Sequence, residues 1–266
     1  MTTLPAPKRP AEPTLEVAQD PGPSVKEIFV LDFERAYSEQ LRERLAGRPT
    51  RPLRAHQAVN HPGVYILLQN DIEVYVGKAD RDLAGRLTRH ADSISARHNI
   101  SLDEMSCRYI YFLEYGLVKL AEPLLIEHFR GEGRADWNSR GFGSNDPGRK
   151  RDKGKPSWFD EQYPIRLDYI VEVSAGLFSL LGLLRALRTS FPFTFRFEEE
   201  DPRALAELER DVVFQSEEPR RATVEEWLSM ACAHLPTGWQ LTALPGRIIL
   251  YREHDDNYPG RILFRR

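Results

Sequence analysis

Two short runs of mostly apolar residues near the middle of the chain, rich in β-branched and aromatic side chains, predict a β-hairpin. Gln69-Asn70-Asp71 supplies turn-forming residues between the runs. After the hairpin, the spacing of apolar residues is typical first of a helix, then of a strand and then of a second helix. The predicted elements are strands at 63–68 and 73–77, a helix at 83–95, a strand at 108–115 and a helix at 117–129. This order predicts an α+β fold with a small mixed or antiparallel sheet flanked by helices.

The segments before this unit differ in composition. Residues 1–24 contain six prolines and few apolar side chains, which predicts a disordered tail. Residues 29–31 are typical of a short strand, and residues 34–46 have helical spacing.

The C-terminal part, residues 166–266, predicts a further α+β region. Strand-like and helical segments are expected at 167–173 and 176–187. A second, weaker grouping spans roughly residues 190–266, with helices near 202–211 and 223–234 and a hairpin of 239–244 with 247–251. The acidic stretch at 198–201 is the predicted internal boundary. DNA recognition, dimerisation and partner binding all remain open as the role of residues 166–266.

Charge is distributed unevenly along the chain. The formal net charge is −3, yet residues 198–218 hold nine acidic and two basic side chains, while residues 130–155 hold eight basic and four acidic ones. A local cationic excess can neutralise phosphates even in an acidic protein. A solvated loop would have the same composition, so charge alone leaves both interpretations open.

Cysteine usage and hydropathy narrow the class of protein. Cys107 and Cys232 do not form a CxxC pair, which argues against a zinc ribbon and favours a reduced, cytoplasmic setting. No apolar run has the length needed to cross a bilayer, so no membrane partner is expected.

Five side chains of the central unit are of types that can take part in catalysis. Tyr65 and Tyr75 lie in the two strands of the predicted hairpin. Arg86 and His90 share one helix face because they are four residues apart. Glu122 lies in the second helix. Each residue alone is explained by packing, by a solvated helix face or by the helix dipole, so only the combination supports a functional hypothesis.

The combination resembles the motifs of the GIY-YIG nuclease superfamily. Gly63-Val64-Tyr65 and Tyr75-Val76-Gly77 are similar to its two naming tripeptides, with valine in place of isoleucine, and Lys78 follows directly. Arg86 and His90 match its arginine followed four residues later by a tyrosine or histidine.

The resemblance continues downstream, where it becomes specific to one branch of the superfamily. Residues 122–126, Glu-Pro-Leu-Leu-Ile, resemble the family's Glu-x-x-Leu-Ile helix, and Trp137-Asn138 resembles its closing aromatic–asparagine pair. The runs 141–148 and 157–164 are similar to restriction endonucleases of the Eco29kI type. The domains expected from this resemblance are a tail at 1–24, a nuclease domain at 25–165 and a C-terminal extension at 166–266.

One spacing departs from the family pattern. Glu122 and Asn138 are sixteen residues apart, about one helical turn more than expected, and residues 131–134 look like the insertion. Glu127 lies closer to Asn138, but it lacks the following Leu-Ile and points about 140° away from Glu122 on a helix. The resemblance therefore assigns the metal to Glu122, whereas Asn138 is expected to brace the site.

The resemblance implies metal-dependent hydrolysis of double-stranded DNA by a type II restriction endonuclease in host defence. One Mg²⁺ per site is expected, with Mn²⁺ as a substitute. Cutting both strands with one site per chain favours a homodimer. A cognate DNA methyltransferase would belong to the same restriction–modification system.

The catalytic roles also follow from the resemblance. Arg86 would hold the phosphate bidentately, and Tyr75 would hydrogen-bond the phosphate or the nucleophile. Tyr65 would contact or deprotonate the attacking water. A phenol is a poor base at neutral pH, so Tyr65 needs a helper, and Lys78 and His90 are both candidates.

The glycine-rich basic loop at 141–155 is the predicted DNA-contacting element, with a flexible linker as the alternative. The predicted DNA-binding side chains are Arg140, Asn145, Arg149, Lys150, Arg151, Lys153 and Lys155.

Two rival functions remain. A repair incision subunit or homing nuclease would need helix-hairpin-helix elements or a zinc-bound linker, which two cysteines and a short C-terminal half do not support. A DNA-binding or defence-associated protein of this fold, with weak, nicking or no cleavage activity, is the second. The complete set of Tyr65, Arg86 and Glu122 argues against it.

Overall fold

The structure is a computed structural model that describes residues 32–113, 115–143, 146, 148–209 and 212–266. The tail predicted at 1–24, the strand predicted at 29–31 and Asn145 lie outside these residues. Within the described part, no helix is both long and apolar enough to span a membrane.

The N-terminal half contains the predicted β-β-α-β-α unit preceded by a helix and a short strand. Its elements are α1 (Phe33–Ala46), β1 (Arg51–Pro52), β2 (Gly63–Gln69), β3 (Ile72–Ala79), α2 (Leu83–Ser95), β4 (Met105–Tyr111) and α3 (Tyr115–Gly131). The four strands form one antiparallel sheet in the order β1-β4-β2-β3. The α+β fold class predicted from the sequence is thereby confirmed.

The predicted hairpin of β2 and β3 closes through a two-residue turn. Asn70 and Asp71 have φ values of 48° and 64°, the left-handed backbone that a tight hairpin requires and that asparagine and aspartate tolerate. The predicted turn included Gln69, but Gln69 pairs with Ile72 as the last residue of β2.

Helices cover both faces of this sheet because side chains alternate along β2. Tyr65 and Leu67 face one side, where they pack with Leu83 and Leu87 of α2. Val64, Ile66 and Leu68 face the other side and pack against α1 and α3. The end of β3 therefore lies between a helix on each face, and side chains of both helices can reach it.

The C-terminal half is a second α+β unit. Its elements are α4 (Trp158–Gln162), β5 (Ile170–Val173), β6 (Gly176–Ser179), α5 (Leu180–Ser190), β7 (Thr194–Phe197), α6 (Pro202–Leu208), β8 (Val212–Ser216), β9 (Arg220–Thr223), α7 (Val224–Ala233), β10 (Gln240–Leu244), β11 (Arg247–Tyr251) and β12 (Arg261–Arg265). The hairpin of β10 with β11 confirms its prediction.

The boundary predicted at 198–201 is wrong. β7 precedes that stretch and pairs in parallel with β11, which follows it, in a sheet of order β12-β10-β11-β7. One hydrophobic core contains residues from both sides, including Phe195 and Leu250. The acidic run is a connection within one folding unit, because non-local strand pairing joins its flanks.

A buried ionic cluster ties the loop before α4 to the C-terminal sheet. Asp152 is fully buried and accepts hydrogen bonds from Arg247 at 2.7 Å, from the Tyr251 hydroxyl at 2.7 Å and from Arg196. A buried carboxylate needs such partners, since an unpaired charge in the interior is costly. The segment is therefore anchored to the second half rather than hanging as a free linker.

Candidate active site

The two tyrosines reach one place because of the β2–β3 register. Tyr65 lies opposite Gly77 and Tyr75 lies opposite Leu67, and the two ring centroids are 6.2 Å apart. A Cβ on Gly77 would lie 2.4 Å from the Tyr65 hydroxyl oxygen and 2.8 Å from Tyr75 Cε1. The glycine is thus required by the close approach of both rings, a role that its place in the motif had not revealed.

Helix α2 brings Arg86 and His90 to the Tyr65 hydroxyl. Asp82 begins the helix by accepting a hydrogen bond from the Gly85 N–H at 2.9 Å. His90 Nε2 lies 2.6 Å from the Tyr65 hydroxyl, and Arg86 Nε donates to the same oxygen at 3.2 Å. With Arg86 donating, the hydroxyl proton is left to point toward an unprotonated Nε2.

The buried environment holds these groups in their neutral forms. Burial, reinforced by the charges of Arg86 and Arg89, lowers the pKa of His90 to about 3. Burial also raises the pKa values of Tyr65 and Tyr75 above the ordinary phenol range, against the opposing effect of Arg86. A neutral imidazole beside a protonated phenol accepts its hydrogen bond and so fixes the direction of the phenolic proton.

Glu122 of α3 lies close to Lys78, which is near the end of β3. Lys78 Nζ lies 3.8 Å from Glu122 Oε2 and 3.5 Å from Asp80 Oδ1. Burial raises the pKa of Glu122, Asp80 raises it further, and Lys78 and Arg86 oppose the rise. Of the two candidate helpers of Tyr65, His90 is the one in hydrogen-bonding contact, while Lys78 lies with the carboxylates.

The residues around Glu122 fit one hard divalent cation. Within the described residues no group of three or more His, Cys, Asp or Glu side chains is positioned to bind a metal, but Mg²⁺ needs only one or two carboxylates when phosphate and water complete its shell. Asp80 Oδ1 is buried, makes no hydrogen bond and lies 3.5 Å from Lys78 Nζ, so Asp80 could hold the ammonium if Glu122 bound a cation. The Lys78 ammonium occupies the approach to both carboxylates.

Asn138 braces the edge of the sheet. Its side chain accepts a hydrogen bond from the Val76 N–H at 2.8 Å and donates to the Val76 carbonyl at 2.7 Å. Strand β3 is at the sheet edge, so the amide replaces a missing neighbouring strand between Tyr75 and Gly77. The expected bracing role fits this geometry, and the side chain's hydrogen bonds go to backbone.

The turn at 141–143 covers the tyrosines and His90. The Phe142 ring centroid lies 5.0 Å from those of both Tyr75 and His90. Gly143 has a φ of 68°, and a Cβ there would lie 2.6 Å from the Tyr75 hydroxyl. A Cβ on Gly141 would instead lie 2.4 Å from Ser157 Cβ, so the two glycines of this turn allow close packing within the protein.

The predicted DNA-binding side chains differ in whether they form ion pairs within the protein. Arg149 pairs with Glu198 and with Glu253, and Lys153 pairs with Asp255. These two basic residues therefore contact the C-terminal half.

The remaining described members of this set differ in their contacts. Arg140 pairs with Asp136 at 2.8 Å and stacks on Trp158, and Lys155 lies 4.0 Å from Glu161. Lys150 and Arg151 are exposed and their side chains make no ion pair within the described residues. Lys150, Arg151 and Lys155 are thus the more available cations of the loop.

We expect acid to destabilise the protein through His90. Because the folded pKa of His90 is about 3 and its ordinary value is 6.5, the unfolded chain binds the proton first between those values. The contribution of a neutral His90 to the free energy of unfolding is therefore complete above pH 6.5 and is lost as the pH falls toward 3. From pH 7 to pH 5, the wild type should lose about 2 kcal/mol more unfolding free energy than His90→Gln.

Urea titrations followed by tryptophan fluorescence at both pH values measure the difference. His98→Gln, which changes an exposed histidine, should keep the wild-type pH dependence. An equal loss in the wild type and in His90→Gln would contradict a buried neutral His90.

Comparison with known protein families agrees with the geometry of the site. Residues 69–169 match the family model described as Eco29kI GIY-YIG domain. The matched segment contains Tyr75, Arg86, His90 and Glu122, while Tyr65 precedes it in β2. No curated protein matches the chain. The resemblance stated from the motifs is confirmed over these residues: the chain carries a GIY-YIG nuclease domain of the Eco29kI type.

Proposed function

We propose that the protein is a type II restriction endonuclease that hydrolyses phosphodiester bonds in double-stranded DNA with the help of a divalent cation. The observation that carries this proposal is the convergence on the Tyr65 hydroxyl of a neutral His90 at 2.6 Å and of Arg86 at 3.2 Å. His90 can accept a proton and Arg86 can bind a phosphate, and both contact the Tyr65 hydroxyl within a nuclease domain.

Arg86 is the group we assign to the scissile phosphate. A guanidinium retains its charge at any working pH and can hold two phosphate oxygens at once. The Tyr65 side chain is 0% exposed, and Arg86 Nε is one of its two hydrogen-bond partners. Movement of Arg86 toward a bound phosphate would open the path by which a water reaches the hydroxyl.

Tyr65 and His90 then form the proton path. The attacking water would give its proton toward the Tyr65 oxygen as the phenolic proton passes to His90 Nε2. Tyr75, whose ring packs beside Tyr65, is assigned to orienting the water or a phosphate oxygen.

Glu122 is the proposed ligand of one Mg²⁺, or of Mn²⁺ in its place. Such a cation would stabilise negative charge on the phosphate and the leaving oxygen. Lys78 would leave Glu122 when the cation binds, because the ammonium and the cation use the same carboxylate, and Asp80 keeps the displaced ammonium close.

The biological setting is part of the same proposal. A homodimer would place one site on each strand, which double-strand cleavage requires of a chain with a single site. We assign the protein to host defence in the cytoplasm, alongside a cognate DNA methyltransferase that protects host DNA. No direct contact with that enzyme is implied.

Cleavage of a random-sequence plasmid library with Mg²⁺ tests the proposal. We expect double-strand breaks at one short sequence, with a constant offset between the cuts in the two strands when the ends are mapped. Binding without cutting in Mg²⁺ and in Mn²⁺ would overturn the proposal in favour of the DNA-binding alternative. Cuts at random positions would reject the restriction assignment while leaving a nuclease.

A further inference from the structure

A cleft of about 920 Å³ lies between the nuclease domain and the C-terminal half. Helix α2 contributes Arg89 and Ser93 to one wall, and the loop before α4 contributes Arg151 and Lys155. Residues 189–194, which end α5 and begin β7, form part of the C-terminal wall. The cleft thus exists only because the two halves pack together.

This cleft begins where the candidate active site ends. Arg89 follows Arg86 by three residues on α2, so the two guanidiniums emerge on neighbouring parts of one helix face. Phe142 and Gly143 line the cleft, and the same turn contacts Tyr75. A chain of phosphates that passes Arg86 would therefore meet Arg89 next.

Several charged side chains that line the cleft already form ion pairs within the protein. Arg97 bonds Asp160 at 2.7 Å and Arg247 bonds Asp152 at 2.7 Å, and Asp146 is paired with Arg196. Each of these charges is satisfied within the chain.

Arg89 and Arg151 are exposed and have no ion pair within the described residues, and Lys155 lies 4.0 Å from Glu161. Two acidic side chains, Asp92 and Glu172, also line the cleft.

The remaining lining suits a sugar–phosphate backbone. Ser93, Ser190 and Thr194 add hydroxyl groups, and protein contacts to DNA phosphates come from arginine, lysine, hydroxyl groups and backbone N–H groups. A cleft of about 920 Å³ is too small to enclose a duplex, so the backbone of one strand of a bound duplex would enter it.

We propose that this cleft binds the backbone of the DNA strand being cut, beside the scissile phosphate, with Arg89 on one wall and Arg151 on another each binding a phosphate. The inference rests on the proposed nuclease function and extends it. It gives the C-terminal half a defined role, which is to complete a channel that the nuclease domain cannot form alone.

Salt-dependent DNA binding tests the channel without relying on cleavage. The probe is a short fluorescein-labelled duplex, followed by anisotropy in Glu122→Gln protein to prevent cutting. Arg89→Ala and Arg151→Ala should each weaken binding about tenfold and reduce the slope of log K against log salt by about one unit. Melting temperatures check that the variants remain folded.

Matched controls lie on α1, which covers the face of the N-terminal sheet opposite α2. Arg42 and Arg44 are exposed arginines of α1 that do not line the cleft, and their alanine variants should keep the parent affinity and slope. Equal losses in the controls, or no loss in Arg89→Ala and Arg151→Ala, would overturn the channel while leaving the nuclease function intact. Failure of the parent protein to bind any DNA would instead reject the proposed function itself.

Discussion

Glu122→Gln is expected to lower the rate of DNA cleavage by about a thousandfold and to leave DNA binding in place. The amide has nearly the shape of the carboxylate but lacks the negative charge that we assign to the divalent cation. Lys78 Nζ already lies 3.8 Å from Glu122 Oε2, so this carboxylate already faces one positive charge. Plasmid cleavage rates in Mg²⁺ and in Mn²⁺, with anisotropy for DNA binding, measure the two properties separately.

Glu127→Gln is the matched control on the same helix. Glu127 is exposed and five residues further along α3, so it points away from the site. Its variant should cleave at the wild-type rate. Equal losses in both variants would mean that α3 packing, rather than the Glu122 carboxylate, is responsible. Full activity in Glu122→Gln would show that the metal assignment is wrong.

Tyr65→Phe and His90→Gln are each expected to reduce the cleavage rate by about 10²–10³-fold, and the double variant should be little slower than either single one. The reason is that the two side chains act as one unit through a 2.6 Å hydrogen bond. Glutamine keeps an acceptor near the hydroxyl but cannot take its proton. Single-turnover cleavage rates of the four proteins provide the cycle.

Lys78→Met distinguishes the rival helper. Because Lys78 lies with Asp80 and Glu122 rather than with Tyr65, the losses of Lys78→Met and Tyr65→Phe should multiply. Multiplying losses for Tyr65→Phe with His90→Gln, combined with non-additive losses for Tyr65→Phe with Lys78→Met, would transfer the helper role to Lys78.

Local patterns predicted most of the N-terminal fold. Two apolar runs rich in β-branched and aromatic residues, with turn chemistry between them, placed the β2–β3 hairpin, because strand propensity and left-handed turn residues are properties of neighbouring positions. The spacing of Arg86 and His90 placed both on one helix face for the same reason. The C-terminal boundary prediction failed at 198–201, because a run of acidic residues does not reveal that β7 pairs with β11 some fifty residues later.

The basic loop shows the same limit from another side. Its sequence indicated a row of cations facing DNA, yet Arg149 and Lys153 pair with acidic residues of the C-terminal half. Charge counts report how many ions a segment holds and carry no information about partners distant in sequence. The loop's position was decided by the buried carboxylate of Asp152.

The sequence by itself determined which side chains make up the candidate site, since the motif order of Tyr65, Arg86 and Glu122 is written along the chain. The tertiary structure decided what each can contact. It sets a neutral His90 against Tyr65, leaves Lys78 with the carboxylates and requires Gly77 beneath both tyrosine rings. The physical reason is that distance, burial and pKa arise from residues far apart in sequence, which meet only after the chain has folded.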